Sequence, residues 1–207
     1  MGLWGRVFAA GYDKVMAGAE KAGLADHRTN LLERTRGRVL EIGGGTGANL
    51  PYYSKDVEEV VITEPEEPMA RRLERKLVDD SLPVRVVRAP AEQLPFGDSS
   101  FDYVVSTLVL CTVSDPARAL AEIHRVLKDD GQFLFIEHVR SDSAKLARWQ
   151  DRLNGIQRHI GCGCNCNRRT LETIEGTGFS ITEVEHDRLK KAPPLVRPLI
   201  VGAAARI

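Results

Sequence analysis

Residues 38–48 read RVLEIGGGTGA, a short apolar run that ends in a cluster of glycines. The apolar run predicts a buried strand, and the glycines permit a tight turn in which backbone N–H groups can approach a ligand. A helix is expected after the turn, with its N-terminus directed at the same place, which would favour an anionic group there. Because Gly43-x-Gly45-x-x-Ala48 also fits the dinucleotide fingerprint, the turn alone is weak evidence for any one ligand.

Other short apolar strands follow this one, and helical segments alternate with them. Between two of these strands, residues 117–127 show the 3.6-residue period of an amphipathic helix. Alternating strands and helices predict an α/β fold, with a parallel sheet and helices on both of its sides. The predicted strands lie at residues 38–42, 57–63, 84–87, 101–106 and 132–137, with two late strands near 179–185 and 199–207.

The chain of 207 residues is long enough for one domain with a sizeable core. We expect a single domain over 1–207, made of an N-terminal helical cap (1–36), a cofactor-binding core (37–140) and an acceptor-side helix and loop with the final strands (141–207). Twenty-nine basic residues balance 29 acidic ones. Nucleic-acid binding is therefore not expected, because phosphate contacts need an excess of Lys and Arg. The oligomeric state is left open.

Membrane insertion and export are not expected either. The longest charge-free apolar run, residues 103–114, has 12 residues, whereas a helix that crosses a bilayer needs about 20. The first residues lack the layout of a signal peptide, and the four cysteines do not form a disulfide framework for a chain of this length. These features predict a cytoplasmic protein.

The N-terminal segment carries an apolar helical stripe that has two interpretations. The helix could cover the sheet edge or the mouth of a pocket. It could also make weak contact with a membrane surface and admit lipophilic substrates. The stripe consists of Leu3, Trp4, Val7, Phe8, Tyr12, Val15 and Met16.

Two acidic residues narrow the choice of cofactor between NAD and S-adenosylmethionine. Glu64 ends the second strand, 21 residues after Gly43, where a carboxylate can hydrogen-bond both ribose hydroxyls of an adenosine cofactor. Glu41 lies two residues before Gly43, where a carboxylate can bind the ammonium group of a bound amino acid. The chain carries no second domain for a hydride acceptor, so S-adenosylmethionine is favoured over a nicotinamide cofactor.

Several motifs in register resemble the class I S-adenosylmethionine-dependent methyltransferases over about residues 30–140. The resemblance implies a doubly wound, mostly parallel seven-stranded sheet of the Rossmann-like type, with the last strand antiparallel and N-terminal helices. It also implies S-adenosylmethionine as methyl donor and S-adenosylhomocysteine as product. The motifs are Glu41-x-Gly43-x-Gly45-x-Gly47, Glu64-Pro65, Leu94-Pro95-Phe96 before Phe101-Asp102, and Arg125-Val126-Leu127-Lys128-x-x-Gly131.

A narrower set of stretches is similar to the small thiol S-methyltransferases called methyltransferase-like 7. The animal members begin with a long apolar membrane anchor, but charged residues such as Arg6, Asp13 and Lys14 interrupt the equivalent region here. Membrane anchoring is therefore not carried over. The matching stretches are Gly45-Thr46-Gly47-Ala48-Asn49, Ala89-Pro90-Ala91-Glu92, Thr107-Leu108-Val109-Leu110-Cys111, Glu137-His138-Val139, His159-Ile160-Gly161, and Gly163-Cys164 with Arg168.

The resemblance implies a set of cofactor contacts. Many class I enzymes place an Asp after the third strand to accept a hydrogen bond from the adenine amino group. In this chain Pro90 occupies that position, as a proline does in the thiol S-methyltransferases. Adenine recognition would then fall on the backbone of Ala91, with Glu92 as a substitute acceptor. The full implied set is Glu41, Gly43, Gly45, Gly47, Asn49, Glu64, Pro65, Met69, Ala91, Glu92, Thr107 and Leu108.

Two histidines are candidates for a catalytic base. His138 follows the fifth strand at the edge where open α/β sheets bind ligands, and an ordinary histidine pKa near 6.5 suits proton transfer at neutral pH. His159 is predicted to lie in a loop that covers the acceptor. Each could equally shape the pocket without catalysis. Cys162-x-Cys164-x-Cys166 lacks the spacing of a structural zinc site, so no metal is expected.

These expectations combine into methyl transfer to a small, lipophilic acceptor. A thiol or sulfide is preferred, because a thiol with a pKa near 8.5 reaches its reactive thiolate form with little help. O- or N-methylation of a phenol, quinol or amine is the alternative, and a non-catalytic S-adenosylmethionine-binding protein is the alternative of another class. The expected apolar lining consists of Trp4, Phe8, Leu108, Leu110 and Trp149.

Overall fold

The computed structural model describes residues 3–77 and 82–207. The strands are β1 Gly37–Ile42, β2 Val57–Thr63, β3 Val84–Val87, β4 Phe101–Thr107, β5 Leu127–His138, β6 Phe179–Arg188 and β7 Pro198–Arg206. The α-helices are α1 Leu3–Ala19, α2 Ala25–Leu32, α3 Glu67–Lys76, α4 Pro116–Val126, α5 Ala144–Ile160 and α6 Thr170–Glu175. A π-helical turn over Glu20–Leu24 joins α1 to α2, and 3-10 turns lie at Leu50–Tyr52 and Pro194–Val196.

The seven strands form one sheet in the order β3-β2-β1-β4-β5-β7-β6. β1 to β5 pair in parallel, whereas β7 runs antiparallel to both of its neighbours, β5 and β6. This is the doubly wound, mostly parallel sheet that the sequence predicts, so the fold prediction is confirmed. The winding reverses between β1 and β4, and the carboxyl ends of strands at such a switch point form the ligand-binding crevice of open α/β sheets.

Helices bury apolar side chains against both faces of the sheet. On one face, Ile123 of α4 and Ile174 of α6 belong to the same cluster as Phe133 and Phe135 of β5. On the opposite face, Leu134 and Ile136 of β5 belong to one cluster with leucines of α2 and α3, namely Leu31, Leu32 and Leu73. Strands that are covered on both sides read as continuous apolar runs, which is why the sequence revealed them.

The prediction of a helix directly after the glycine turn is wrong. Residues 43–49 form turns, and they lead only into the 3-10 turn at Leu50–Tyr52. Pro51 lies in this segment and has no N–H to donate to a helical hydrogen bond. The partial positive charge of a helix N-terminus is therefore not available at the glycine turn. Binding of an anionic ligand group there would depend on side chains and on individual backbone N–H groups.

The N-terminal helices lie on the face of the sheet that α3 also covers. The chain bends between α1 and α2 at Gly23, whose φ of 134° is one that a residue with a side chain rarely adopts. Backbone over 3–19 is helical, as the apolar stripe predicts, but the side chains of Leu3, Trp4, Val7 and Phe8 lie outside the described residues. Among the helices that the structure describes, none is both long and apolar enough to cross a membrane.

Candidate active site

Glu41 is held at the carboxyl end of β1 by two side-chain donors. It is 3% exposed, and its carboxylate accepts hydrogen bonds from Asn49 Nδ2 at 3.0 Å and the Tyr53 hydroxyl at 2.6 Å. Burial raises the pKa of Glu41, and the two donors together with the positive charge of Arg28 oppose that shift. A fixed buried carboxylate of this kind can receive an ammonium group, which would replace the water that burial has removed.

The glycine turn leaves a surface open above one of its residues. Gly43, Gly45 and Gly47 all have φ between 55° and 79°, the left-handed region that favours glycine. A Cβ on Gly43 would lie 2.7 Å from Val109, and one on Gly47 would lie 2.7 Å from Leu73. A Cβ on Gly45 would meet only the Gly43 carbonyl oxygen, at 4.0 Å. The outer glycines therefore permit close packing, while Gly45 leaves space that a ligand can occupy.

Glu64 extends from the end of β2 towards this open surface. One carboxylate oxygen accepts from the Gly45 N–H at 2.8 Å, and the other accepts from the Glu66 N–H at 2.8 Å. Burial raises the pKa of Glu64, and these two backbone donors oppose the shift. Each oxygen keeps a second lone pair, so the carboxylate can still accept hydrogen bonds from the hydroxyls of a ribose.

The end of β4 forms the opposite wall. The Thr107 hydroxyl oxygen accepts a hydrogen bond from Asn49 Nδ2 at 3.1 Å, so Asn49 links the ends of β1 and β4. Leu108 has a φ of 60°, a left-handed conformation that is costly for a residue with a branched side chain. Strained residues of this kind persist only where the surroundings hold them, and they cluster at functional sites.

Glu137 supplies the support for this strained segment. It is fully buried and accepts hydrogen bonds from the Ser106 hydroxyl at 2.6 Å and from the N–H groups of Val109 and Leu110 at 3.0 Å. The sequence prediction did not assign Glu137 a role. A carboxylate at the end of an otherwise apolar strand was the available signal, because such a group needs buried donors.

The adenine side of the implied site is only partly assembled. Met69 and Ala91 are buried, and Pro65 is exposed. Glu92 Oε1 accepts from the N–H groups of Ser114 and Asp115, at 2.7 and 3.3 Å, at the start of α4. These contacts favour a structural role for Glu92, so the backbone of Ala91 stays the better prediction for the adenine acceptor.

The environment of His138 differs from that expected of a base. His138 ends β5 and is 7% exposed, and burial lowers its pKa to about 4, against the opposing influence of the backbone at Val196 and Pro198. This pKa lies below the ordinary histidine value of 6.5. A neutral, buried imidazole with this pKa holds a proton poorly at neutral pH, so a role in the pocket wall fits better than proton transfer.

His159 and the predicted apolar lining need further correction. His159 lies in the last turn of α5, which continues to Ile160, and it is exposed rather than in a covering loop. Leu110 is fully buried in the core, and Trp149 on α5 is 48% exposed. Leu108 alone of the expected lining residues whose side chains are described lies beside the site.

The cysteines lie next to the end of β4. Cys164 and Cys166 pack with Cys111 and Val196, whereas Cys162 is only half-buried. The Asn165 N–H donates to the Cys111 carbonyl at 2.8 Å, which joins the cysteine loop to the segment after Leu108. These thiols fill space behind the wall of the site.

A cavity of about 530 Å³ borders the glycine turn beneath α1. Asp13 of α1 accepts a hydrogen bond from the Thr46 hydroxyl at 2.5 Å and forms an ion pair with Lys76 at 3.4 Å, so α1 is fastened across the turn. Of the implied cofactor residues, the cavity includes only Gly47. It is lined by Tyr12, Asp13, Met16, Ala17, Glu20, Lys21, Gly47, Ala48, Leu50, Pro51, Tyr52 and Lys76.

The structure thus brings the main implied contacts to one sheet edge. Glu41, Thr107 and His138 end adjacent strands on the same face, and Glu64 reaches across the open side of the glycine turn. A buried carboxylate for an ammonium, a second carboxylate for a ribose, and an open Gly45 between them match the parts of S-adenosylmethionine. The residues present therefore fit this group.

Comparison with known proteins agrees with this geometry. Residues 40–135 match the family described as a methyltransferase domain. Human thiol S-methyltransferase TMT1B is 35% identical in an alignment of 176 positions that covers 81% of this chain and 70% of that protein. Phosphatidylethanolamine N-methyltransferase of Cereibacter sphaeroides is 34% identical over 126 residues, which are 60% of this chain and 62% of that protein.

A solved structure shows the same fold over the whole chain. The S-adenosylmethionine-dependent methyltransferase of Thermotoga maritima, described as a possible histamine N-methyltransferase, superposes with a TM-score of 0.72. The match covers 100% of both chains at 23% sequence identity. At this identity the superposition supports the architecture alone.

Proposed function

This chain belongs to the class I S-adenosylmethionine-dependent methyltransferases, and within that family we propose that it methylates the sulfur of a small, lipophilic thiol. The observation that carries the choice of acceptor is the 35% identity to a thiol S-methyltransferase over four-fifths of the chain. The physical chemistry of the site supports the same choice independently.

The cofactor residues divide the work of binding between them. Bound S-adenosylmethionine supplies a methyl group on a positively charged sulfur, which is a good leaving group. Glu41 would hold the ammonium, the open face at Gly45 would receive the methionine end, and Glu64 would bind the ribose hydroxyls. Met69 and the Ala91 backbone would contact the adenine. Positioning of this kind, with water excluded, is the main contribution that the protein makes to an in-line displacement.

The protonation chemistry of the described residues favours an acceptor that needs little help from a base. Burial lowers the pKa of His138 to about 4, and His159 is exposed on α5. The Glu137 carboxylate already accepts several hydrogen bonds from Ser106 and the backbone that follows it. A thiol with a pKa near 8.5 ionises to a useful extent at neutral pH, whereas a phenol with a pKa near 10 does so far less.

We propose that the acceptor approaches from the side that α1 covers. Apolar side chains of Met16, Leu50 and Pro51 line the cavity there, and the charged side chains of Glu20 and Lys76 also border it. The apolar part of this lining suits an uncharged, apolar acceptor, whose burial against Met16, Leu50 and Pro51 needs no polar partner.

N-methylation is the second candidate, and one observation favours it. The match to a phosphatidylethanolamine N-methyltransferase covers 60% of this chain. A neutral amine, like a thiolate, attacks a sulfonium methyl group without a base. A non-catalytic protein that binds the cofactor is the third candidate.

A matched set of acceptors tests the proposal. The purified protein is incubated with methyl-labelled S-adenosylmethionine and one of three acceptors. The acceptors share an aryl-alkyl skeleton and carry a thiol, a phenolic hydroxyl or an amine, and initial rates are compared at pH 7.5. We expect the thiol to react fastest, by at least about tenfold over the phenol, in line with its larger ionised fraction. A faster phenol or amine contradicts the thiol assignment, and binding of S-adenosylhomocysteine without product from any acceptor supports the non-catalytic alternative.

A further inference from the structure

Arg28 is a buried cation beside the cofactor residues, and none of the implied contacts includes it. It lies on α2, and 3% of its surface is exposed. Its Nη1 donates to Asn49 Oδ1, and its Nε and Nη2 donate to Glu20 at 3.2 and 3.0 Å. A buried guanidinium is costly unless partners satisfy its charge and its donors. The acidic partner here is Glu20, whose side chain is 22% exposed.

The Asn49 amide holds Arg28 and Glu41 at its two ends. Its oxygen accepts from Arg28, and its nitrogen donates to Glu41 Oε1 at 3.0 Å. A cation and an anion therefore stand on either side of a single amide group. The amino-acid end of S-adenosylmethionine is a zwitterion, whose ammonium and carboxylate are bonded to the same carbon. If Glu41 receives the ammonium, the carboxylate lies on the side where Arg28 is the buried positive charge.

Glu20 presents to Arg28 the same group that an amino acid would present. Both of its carboxylate oxygens lie 3.2 Å from Arg28 Nε, and Oε1 also accepts from Nη2. This paired contact is the geometry by which arginine recognises carboxylates. Glu20 is the first residue of the π-helical turn Glu20–Leu24, which contains Gly23, and it also lines the cavity beneath α1. It is therefore placed where a change in the bend between α1 and α2 can withdraw it.

We propose that Arg28 binds the carboxylate of the methyl donor's amino-acid group, and that Glu20 occupies this position until the donor displaces it. Charge balance is kept throughout, because Arg28 exchanges one carboxylate for another and Glu20 gains access to solvent. The exchange also links donor binding to the position of α1, since Glu20 directly follows that helix. The inference rests on the proposed use of S-adenosylmethionine as methyl donor and does not depend on which acceptor is methylated.

A merely structural role for Arg28 has a different consequence. Arg28 fixes the orientation of the Asn49 amide, and Asn49 in turn orients Glu41. If that were its whole contribution, its loss would weaken every ligand that uses Glu41, whether or not the ligand has a carboxylate.

Two ligands and three variants separate these roles. Calorimetry measures the dissociation constants of S-adenosylhomocysteine and of its decarboxylated counterpart, which keeps the amine and the adenosine. The variants are Arg28→Gln, Glu20→Gln and, as a control that removes the same charge from an exposed position, Arg36→Gln. Thermal unfolding of each variant confirms that it is folded.

We expect the wild-type protein to bind S-adenosylhomocysteine at least about tenfold more tightly than the decarboxylated ligand. Arg28→Gln should remove that preference, while Arg36→Gln keeps it. Glu20→Gln should strengthen binding of S-adenosylhomocysteine and leave the decarboxylated ligand less affected. Equal weakening of both ligands by Arg28→Gln would overturn the proposal.

The wild-type comparison stands even if Arg28→Gln does not fold. Equal affinity of the wild-type protein for the two ligands would overturn the assignment of Arg28. Failure of the wild-type protein to bind either ligand would instead contradict its use of S-adenosylmethionine, so the two failures are distinguishable.

Discussion

Replacing Glu64 by Gln tests the ribose contact with almost no change in shape. Both carboxylate oxygens accept backbone hydrogen bonds at 2.8 Å, from Gly45 and from Glu66. A glutamine has one carbonyl oxygen, so its NH₂ group would face one of these N–H donors. The substitution also removes the negative charge that would strengthen hydrogen bonds from the ribose hydroxyls.

The expected loss follows from the number and kind of these hydrogen bonds. A hydrogen bond to a charged group contributes about 1.5–3 kcal/mol, so loss of one such equivalent weakens S-adenosylhomocysteine binding roughly 10- to 150-fold. The donor that is left facing an NH₂ group costs about 1–3 kcal/mol of folding stability. For a chain of this size, each kcal/mol lowers the Tm by about 2–4 °C.

Calorimetry with S-adenosylhomocysteine measures the affinity, and a thermal melt measures the stability. Glu67→Gln is the matched control, because Glu67 is exposed on the first turn of α3 and pairs with Arg71 rather than with the site. It removes the same charge and should leave the dissociation constant unchanged. A folded Glu64→Gln variant that binds as tightly as Glu67→Gln would refute the assignment of Glu64 to the ribose.

Three other expectations follow from the site. Gly45→Val should abolish S-adenosylhomocysteine binding, because the valine side chain would enter the open surface of the turn and the φ of 55° at this position disfavours a β-branched residue. If calorimetry detects wild-type affinity in this variant, the ligand does not use that surface. Affinity for S-adenosylhomocysteine should fall as the pH is lowered, and the fall should begin above pH 4.5, the ordinary glutamate pKa. Burial raises the pKa of Glu41 and Glu64, and the ionised carboxylates are the forms that bind the ligand. A dissociation constant that stays unchanged down to pH 4.5 would contradict this expectation. His138→Ala should lower the methylation rate by one constant factor between pH 6 and 9, because an imidazole with a pKa of about 4 is too weak a base to take the thiol proton effectively. A loss confined to pH values below the thiol pKa would instead identify His138 as the base.

The sequence predicted the strands well, because their signals are local. The central strands β1 and β4 are apolar runs that are buried on both faces over most of their length. Glu41 and Glu64 were chosen as candidate cofactor contacts because they lie at fixed sequence distances from the glycines. The helix after the turn was expected from the same motif, but Pro51 and the 3-10 turn around it end any longer helix. The motif therefore predicted the strand and the turn, and its prediction of the structure after the turn was wrong.

The remaining features of the site depend on contacts between distant parts of the chain. Arg28 is one of several charged residues in the N-terminal segment, and only its burial against Asn49 and Glu20 distinguishes it. The donors to Glu137 lie about 30 positions earlier in the chain, at the end of β4 and just after it. The pKa of His138 depends on burial that includes the backbone before β7. No local pattern carries this information.

The central claim, methyl transfer from S-adenosylmethionine to the sulfur of a small thiol, is tested most directly by identifying the product. The protein is incubated with S-adenosylmethionine that carries a deuterated methyl group and with a small aryl-alkyl thiol, and the mixture is analysed by mass spectrometry. We predict a thioether that contains the intact deuterated methyl group, formed in equal amount to S-adenosylhomocysteine and absent with Gly45→Val. Methylation of oxygen or nitrogen in the matched acceptors, with no labelled thioether from the thiol, would contradict the account.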